Sequence, residues 1–159
     1  MSNVTLLYDG VIKNPEAIAW TIAAEGYILL HKNHNSFQPR IGMANTDKEF
    51  IYKFQAMAGN TGHVYYYKDK NPKHRGKWFW ELYSMGDCLE FLTEILDYLP
   101  IKHEQADIII GYCIRALDKV AKTRGMFRGS PEWRLIWVPS QEDTDDFNKV
   151  KELNQRGIK

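Results

Sequence analysis

The chain has 159 residues, 44% of them hydrophobic and 26% charged, with a formal net charge of +1. That length can bury a sizeable core in one domain, and these fractions exclude a wholly disordered chain. The longest apolar runs, such as Ile108-Ile109-Ile110, are far too short to cross a bilayer. In chain order, Asn14-Pro15-Glu16 reads as a helix start, with Asn as cap, Pro at the first helical position and an acid in the first turn. The helix covers 16–25, and Gly26 is read as its C′ stop. The period then changes to two, and 27–33 and 37–45 read as a hairpin turned by His34-Asn35-Ser36. Asn45-Thr46-Asp47 caps a second helix over 48–58, stopped at Gly59-Asn60. Strands 63–69 and 77–84 follow, joined by the polar loop 70–76. Apolar residues then recur at helical spacing over 87–98, 105–122 and 142–154, as in Leu89, Leu92 and Leu96. This order predicts an α+β domain with an antiparallel four-stranded sheet backed by helices.

Charge is unevenly spread. Residues 27–86 carry nine Lys or Arg against four acids, net +5, with four of the five His, while 1–26 and 87–159 are each net −2. A near-neutral total speaks weakly against a nucleic-acid binder, whereas a basic middle third supports one. Cys88 and Cys113 form neither a metal-ligand spacing nor a disulfide framework, and Met1-Ser2-Asn3-Val4-Thr5 shows no basic segment leading into an apolar one. An intracellular, reduced setting is therefore expected, and the Asn3-Val4-Thr5 sequon is read as a chance match.

Four features could carry chemistry. Glu25 ends a helix, where a carboxylate meets the negative end of the dipole at a cost of about 0.3–1 kcal/mol; a metal ion would reverse that sign, and an exposed Glu before a glycine stop also accounts for it. Ala19 and Ala23, four apart, with Ala17 and Ala24, offer a small-residue face for close approach of a second helix, or simply a buried one. Lys102 lies between two helices, where a cation near a helix N-terminus gains nothing, so a solvated loop lysine is the plain reading. If Phe37 and its phase-mates pack on the helices, then His31, Asn33, Gln38 and Arg40 face away; Tyr65, Tyr67, Lys77, Glu81 and Tyr83 are the candidates on the other two strands, where alternation leaves the phase of Tyr65-Tyr66-Tyr67 open. Such a face has donors and acceptors suited to base edges, as does any solvated sheet. His31 and His34 would diverge on a strand and turn, so no metal pair is expected. No P-loop, GxSxG or HExxH is present.

Ile18-Ala19-Trp20-Thr21-Ile22-Ala23-Ala24-Glu25-Gly26 resembles the LAGLIDADG motif of homing endonucleases. The context extends the likeness over about residues 14–120: strands on both sides of the helix that starts near Asn45-Thr46-Asp47-Lys48, then 99–105 leading into another helix. With one motif copy, the chain is similar to the single-motif, homodimeric branch. The resemblance implies one αββαββα domain over 1–159, with its core at about 14–125, a C-terminal extension at 126–159, and a saddle-shaped sheet lying in the DNA major groove. Motif helices of two protomers would pack at the dimer axis, through Ala19, Trp20 and Ala23. Glu25 matches the family's metal-binding acid and the Ala24 carbonyl a supporting ligand. Lys102 matches the basic residue that tunes the attacking water or stabilises phosphate charge. Asn45, and less closely Lys48, match the polar residues that position solvent.

The expectation is an intron-encoded, Mg²⁺-dependent endonuclease. It would bind a long pseudo-palindromic DNA site as a homodimer and cut both strands, in the cytoplasm or an organellar matrix, without a membrane partner. Two carboxylates meeting at an axis repel unless cations lie between them, and oxygen ligands suit Mg²⁺. The same fold without cutting, as an intron-RNA maturase or a DNA-binding protein, is the alternative; an accidental motif in an interaction domain is a third. Trp20 stands where the motif has glycine, so a looser or rotated helix crossing is expected; Ala23 stands where it has its first aspartate, so weaker local support of the strand start is expected.

Overall fold

The computed structural model describes residues 11–156, so the Asn3-Val4-Thr5 sequon and the N-terminal segment lie outside it. Along the chain run α1 (Pro15–Glu25), β1 (Gly26–Asn33), β2 (Ser36–Asn45), α2 (Lys48–Met57), β3 (His63–Tyr67), β4 (Lys77–Leu82), α3 (Met85–Ile95), a 3₁₀ turn (Leu96–Tyr98), α4 (His103–Lys122), α5 (Pro131–Trp137) and α6 (Gln141–Arg156). The first seven regular elements are αββαββα, as the sequence predicts.

Local chemistry sets most boundaries. The Asn14 side-chain oxygen accepts from the Ala17 N–H at 3.1 Å and opens α1. Asp47 accepts from the N–H groups of Glu49 and Phe50 and opens α2. Ser84 caps α3, which ends β4 at Leu82 and starts the helix at Met85, two residues before the expected point. β3 stops at Tyr67 because Asp69 turns back to accept from the Asn71 N–H at 2.7 Å.

Gly26 behaves differently from the expected left-handed stop. Its backbone is extended, φ −105° and ψ −177°, so α1 runs into β1 with no loop between them. Glycine is needed there for closeness: a Cβ would lie 2.8 Å from the Gly42 carbonyl and 2.9 Å from that of Ile22. The C-terminal end of α1 is thereby welded to the sheet edge, which fixes where Glu25 stands.

The strands pair antiparallel throughout in the order β1-β2-β4-β3, with Gly26 opposite Met43, Met43 opposite Trp80, and Val64 opposite Trp80. One face is apolar: Ile28, Leu30, Phe37, Ile41, Met43, Trp80 and Leu82 join Ile18 and Ile22 of α1, Ile51 and Phe54 of α2, and Leu92, Ile95 and Ile109 of α3 and α4 in one core. Trp80 is fully buried, its indole N–H donating to the Thr61 carbonyl at 2.8 Å, with Phe54 packed edge-on at 4.8 Å. A buried indole needs such a partner, since an orphaned N–H would cost about 1–3 kcal/mol.

The C-terminal segment belongs to this core. Phe147 of α6 stacks on Phe37 at 4.9 Å, Val150 is buried, and the Asn154 amide donates to the Ile28 carbonyl at 3.0 Å. Arg115 and Lys119 of α4 hold Asp143 of α6, at 3.1 and 3.0 Å, and Arg115 also bonds Asp146 and Glu142. Burial pushes the Asp143 carboxyl up, but bonds from Lys119, the Ser140 N–H and Arg115 outweigh it and hold it below the usual carboxylate range.

Candidate active site and nucleic-acid interface

At the end of α1, Glu25 is exposed, and its carboxylate makes no hydrogen bond or ion pair among the described residues. Beside it lies Lys102. Its Nζ donates to the carbonyls of Ile22 at 3.1 Å, Ala23 at 2.8 Å and Gly26 at 2.6 Å. Sequence position put this lysine at the start of α4, where a cation gains nothing. The tertiary fold brings it instead to the C-terminal end of α1, where the dipole and carbonyls with lone pairs to spare favour a cation. An ammonium has three N–H donors, and here three carbonyls take them. Burial lowers the Lys102 pKa from its ordinary value. The residue itself is left-handed, φ 65°, a conformation that costs a non-glycine residue of order 1 kcal/mol and persists where surroundings enforce it.

The structure places the other expected residues as follows. Asn45 ends β2, two residues past the partner of Gly26, hence at the same end of the sheet as Glu25; its side-chain oxygen accepts from the Asp47 N–H at 2.8 Å. Lys48 sits over aromatic rings on the helix-bearing side, 4.9 Å from the centre of Trp78 and 5.8 Å from that of Tyr52. Lys102 passes over the Ala24 carbonyl. Together with the Glu25 carboxylate, that carbonyl makes a pair of hard oxygen donors fitting a Mg²⁺-type cation, but only as part of its shell. Among the described residues no group of three or more His, Cys, Asp or Glu could hold a metal within one chain.

The expected dimer face needs correction. Ala19 and Ala23 are 0% and 4% exposed, turned with Ile18 and Ile22 into the chain's own core, so neither is open to a partner. The open side of α1 carries Trp20, 56% exposed, together with Ala24 and the half-buried Ala17 and Thr21.

The opposite sheet face matches the expected alternation. His31, Asn33, Tyr65, Tyr67, Lys77 and Tyr83 are exposed on it, and Gln38 and Arg40 are half-buried. Glu81 lies in the same phase but is only 8% exposed, which removes it from the set open to a ligand. The cause is a cross-strand rung, Tyr27 opposite Gly42 opposite Glu81 opposite His63. Tyr27 reaches across Gly42, and its hydroxyl donates to Glu81 at 2.6 Å. A Cβ on Gly42 would fall 2.4 Å from that hydroxyl oxygen. Burial, then the bond to Glu81, push the Tyr27 hydroxyl far above its ordinary pKa. Tyr65 stacks on Phe79 at 5.2 Å and His63 on Tyr83 at 4.9 Å.

Sequence reasoning missed Tyr27, although its alternation with Ile28 gave the phase. It also passed over Lys68, Lys70, Lys73 and Arg75, all exposed in the loop after β3, although five bases fall within ten residues there.

No family model matches the chain, and no curated protein does. Solved structures do match in fold. I-CvuI in complex with the I-CreI target is 14% identical with a TM-score of 0.55, over 86% of this chain and 94% of that one. The archaeal intron-encoded homing endonuclease I-Vdi141I complexed with DNA is 11% identical, TM-score 0.56, over 89% and 96%. The LAGLIDADG meganuclease I-AabMI bound to uncleaved DNA is 12% identical, TM-score 0.57, over 87% of this chain but 43% of that one. The α1–β1 weld, the bare sheet face and these likenesses define one architecture: the chain has the fold of the LAGLIDADG homing endonucleases. It is similar in extent to a whole I-CvuI chain and to less than half of I-AabMI.

Proposed function

We propose that this protein is a homing endonuclease: two copies bind a long duplex through their open sheet faces and hydrolyse one phosphodiester in each strand. The observation that carries the reading is Glu25, a free carboxylate on a rigid helix–strand junction, kept beside a captive lysine where the helix dipole disfavours it. In the dimer, the Trp20–Ala24 side of α1 meets its counterpart and brings the two Glu25 side chains near the axis. Glu25 and the Ala24 carbonyl would hold Mg²⁺, which activates water and stabilises the leaving oxygen when bound. I-CvuI complexes were solved with 2 mM Mg and with 2 mM Ca, which supports a divalent ion here.

In this reading Lys102 neutralises the helix end and keeps the Glu25 carboxylate aimed. Asn45, whose amide nitrogen is left over from its turn, orients solvent at the same sheet end. Lys48, seated on Trp78 and Tyr52, contributes charge there without touching the reacting atoms. The outward strand residues His31, Asn33, Gln38, Tyr65, Tyr67, Lys77 and Tyr83 contact DNA, the polar ones at base edges. Among the described residues no helix is long and apolar enough to cross a membrane, and a cytoplasmic or organellar-matrix setting goes with this reading.

One observation favours a second reading. With all three Lys102 donors taken by carbonyls, none is left for a phosphate or water, as expected of a chain that binds DNA or intron RNA without cutting. Cleavage of the uninterrupted form of the gene that hosts this reading frame decides between them. A double-strand cut that needs both Mg²⁺ and Glu25, and is lost in EDTA and in Glu25→Gln, establishes the nuclease; tight binding without a cut establishes the binder. Particle mass should equal two chains, and a monomer at working concentration would overturn the helix-to-helix axis.

A further inference from the structure

Arg40 is the odd cation of the open face. It stands on β2, one of the two inner strands, and its side chain is 34% exposed. None of its guanidinium N–H groups is hydrogen-bonded among the described residues; Nε is buried without a partner, and Nη1 reaches Glu81 Oε1 only as an ion pair at 4.0 Å. Glu81 in turn is fixed by the Tyr27 hydroxyl at 2.6 Å, and Tyr27 can reach it only because residue 42 has no side chain. The face therefore holds a guanidinium fork with its donors unspent, backed by a carboxylate that cannot swing away.

We propose that Tyr27 and Glu81 are positioning residues that hold Arg40 as a guanine-reading side chain. The inference rests on the DNA-binding reading above. Guanidinium pairs in two ways with flat, two-acceptor targets: a phosphate, or the O6 and N7 edge of guanine. Two features favour guanine. Phosphates flank the groove, whereas β2 is an inner strand whose outward side chains meet the groove floor. The buried carboxylate also cancels much of the charge that would draw Arg40 to a phosphate, leaving the directional donors as its distinguishing property. Lys77 also stands on an inner strand, but at its first position, and as an exposed point charge without an ion-pair partner among the described residues it is the contrasting phosphate-type cation.

The experiment is selection of bound duplexes from a randomised library by the full-length protein and its variants, with affinity read across a salt series. The natural protein should enrich guanine at one position in each half-site. Arg40→Ala and Arg40→Lys should both erase that preference, weakening the best site roughly tenfold to a hundredfold, with other positions unchanged. Glu81→Gln and Tyr27→Phe should blunt the preference at the same position, and Glu81→Gln should steepen the salt slope by about one as Arg40 loses its counter-charge. Lys77→Ala should weaken all sequences alike and reduce the slope by about one. A uniform loss in Arg40→Ala makes Arg40 a phosphate contact and overturns the inference, as does an unchanged preference in Glu81→Gln and Tyr27→Phe. If the natural protein enriches no duplex, the DNA-binding reading fails as well, so the two failures are distinguishable.

Discussion

Two of the places where this protein draws lysine or arginine out of bulk water do it in opposite ways. Between α4 and α6, Arg115 and Lys119 meet Glu142, Asp143 and Asp146, charge against charge. At the α1–β1 junction, Lys102 meets only carbonyl oxygens. The first arrangement cancels itself and serves to fasten a helix. The second satisfies every donor yet leaves a net positive charge in place, one residue from an unpaired carboxylate. A site that must gather anionic oxygens needs residual charge; a clamp does not.

The largest effect that tests this contrast is on chemistry. Glu25→Gln should lower cleavage by about a thousandfold or more, because it removes the anionic oxygen donor, while gel-shift affinity for the duplex stays the same. Loss of binding as well would show that Glu25 supports the fold. Lys102→Met comes next. It takes one hydrogen bond from each of three carbonyls, of which that of Ile22 keeps the Gly26 N–H, and should cost about 1–3 kcal/mol in a urea titration, with cleavage falling further than binding. If stability drops and residual folded protein cuts normally, the lysine is a helix cap and nothing more.

On the clamp side, Asp143→Asn should cost about 1–3 kcal/mol by loosening α6, since it leaves two partly buried cations underpaired, and should leave cutting by folded protein unchanged. The same carboxylate gives a pH prediction. Its folded pKa lies below the unfolded value, so its stabilisation is full above the ordinary carboxylate pKa and is lost as pH falls through the depressed folded value. Acid melts of Asp143→Asn should therefore show a smaller stability loss over that window than the natural protein. The smallest effect belongs to Lys122→Ala, which breaks an exposed pair with Asp118 at 2.8 Å and should change stability by about half a kcal/mol or less.

The sequence made the fold legible because its signals were local. Period-two alternation places His31, Asn33, Gln38, Arg40 and Lys77 on one face, and caps at Asn14 and Asp47 set helix starts, whereas the run Tyr65-Tyr66-Tyr67 leaves its own phase open and Ser84 reads as the end of a strand rather than a cap. What it concealed was tertiary. α1 is apolar or small on most of its surface, so periodicity could not say that Ala19 and Ala23 turn inward while Trp20 turns out. Glu81 looks like any outward strand residue until Tyr27 crosses Gly42 to cover it. α5 is a plainer omission: Ser130-Pro131-Glu132 repeats the Asn14-Pro15-Glu16 start signal, but seven residues are too few to show a helical period.

The bonds from Lys102 to Ile22, Ala23 and Gly26 span 76 to 80 positions of sequence. During synthesis, α1 and both hairpins emerge long before the residue that completes the α1 terminus. The carbonyls at the end of α1 lack the lysine's three hydrogen bonds until the start of α4 has left the ribosome and docked. The surroundings of Glu25 are thus completed late in synthesis, and a truncated product ending before residue 102 keeps the carboxylate without the lysine beside it.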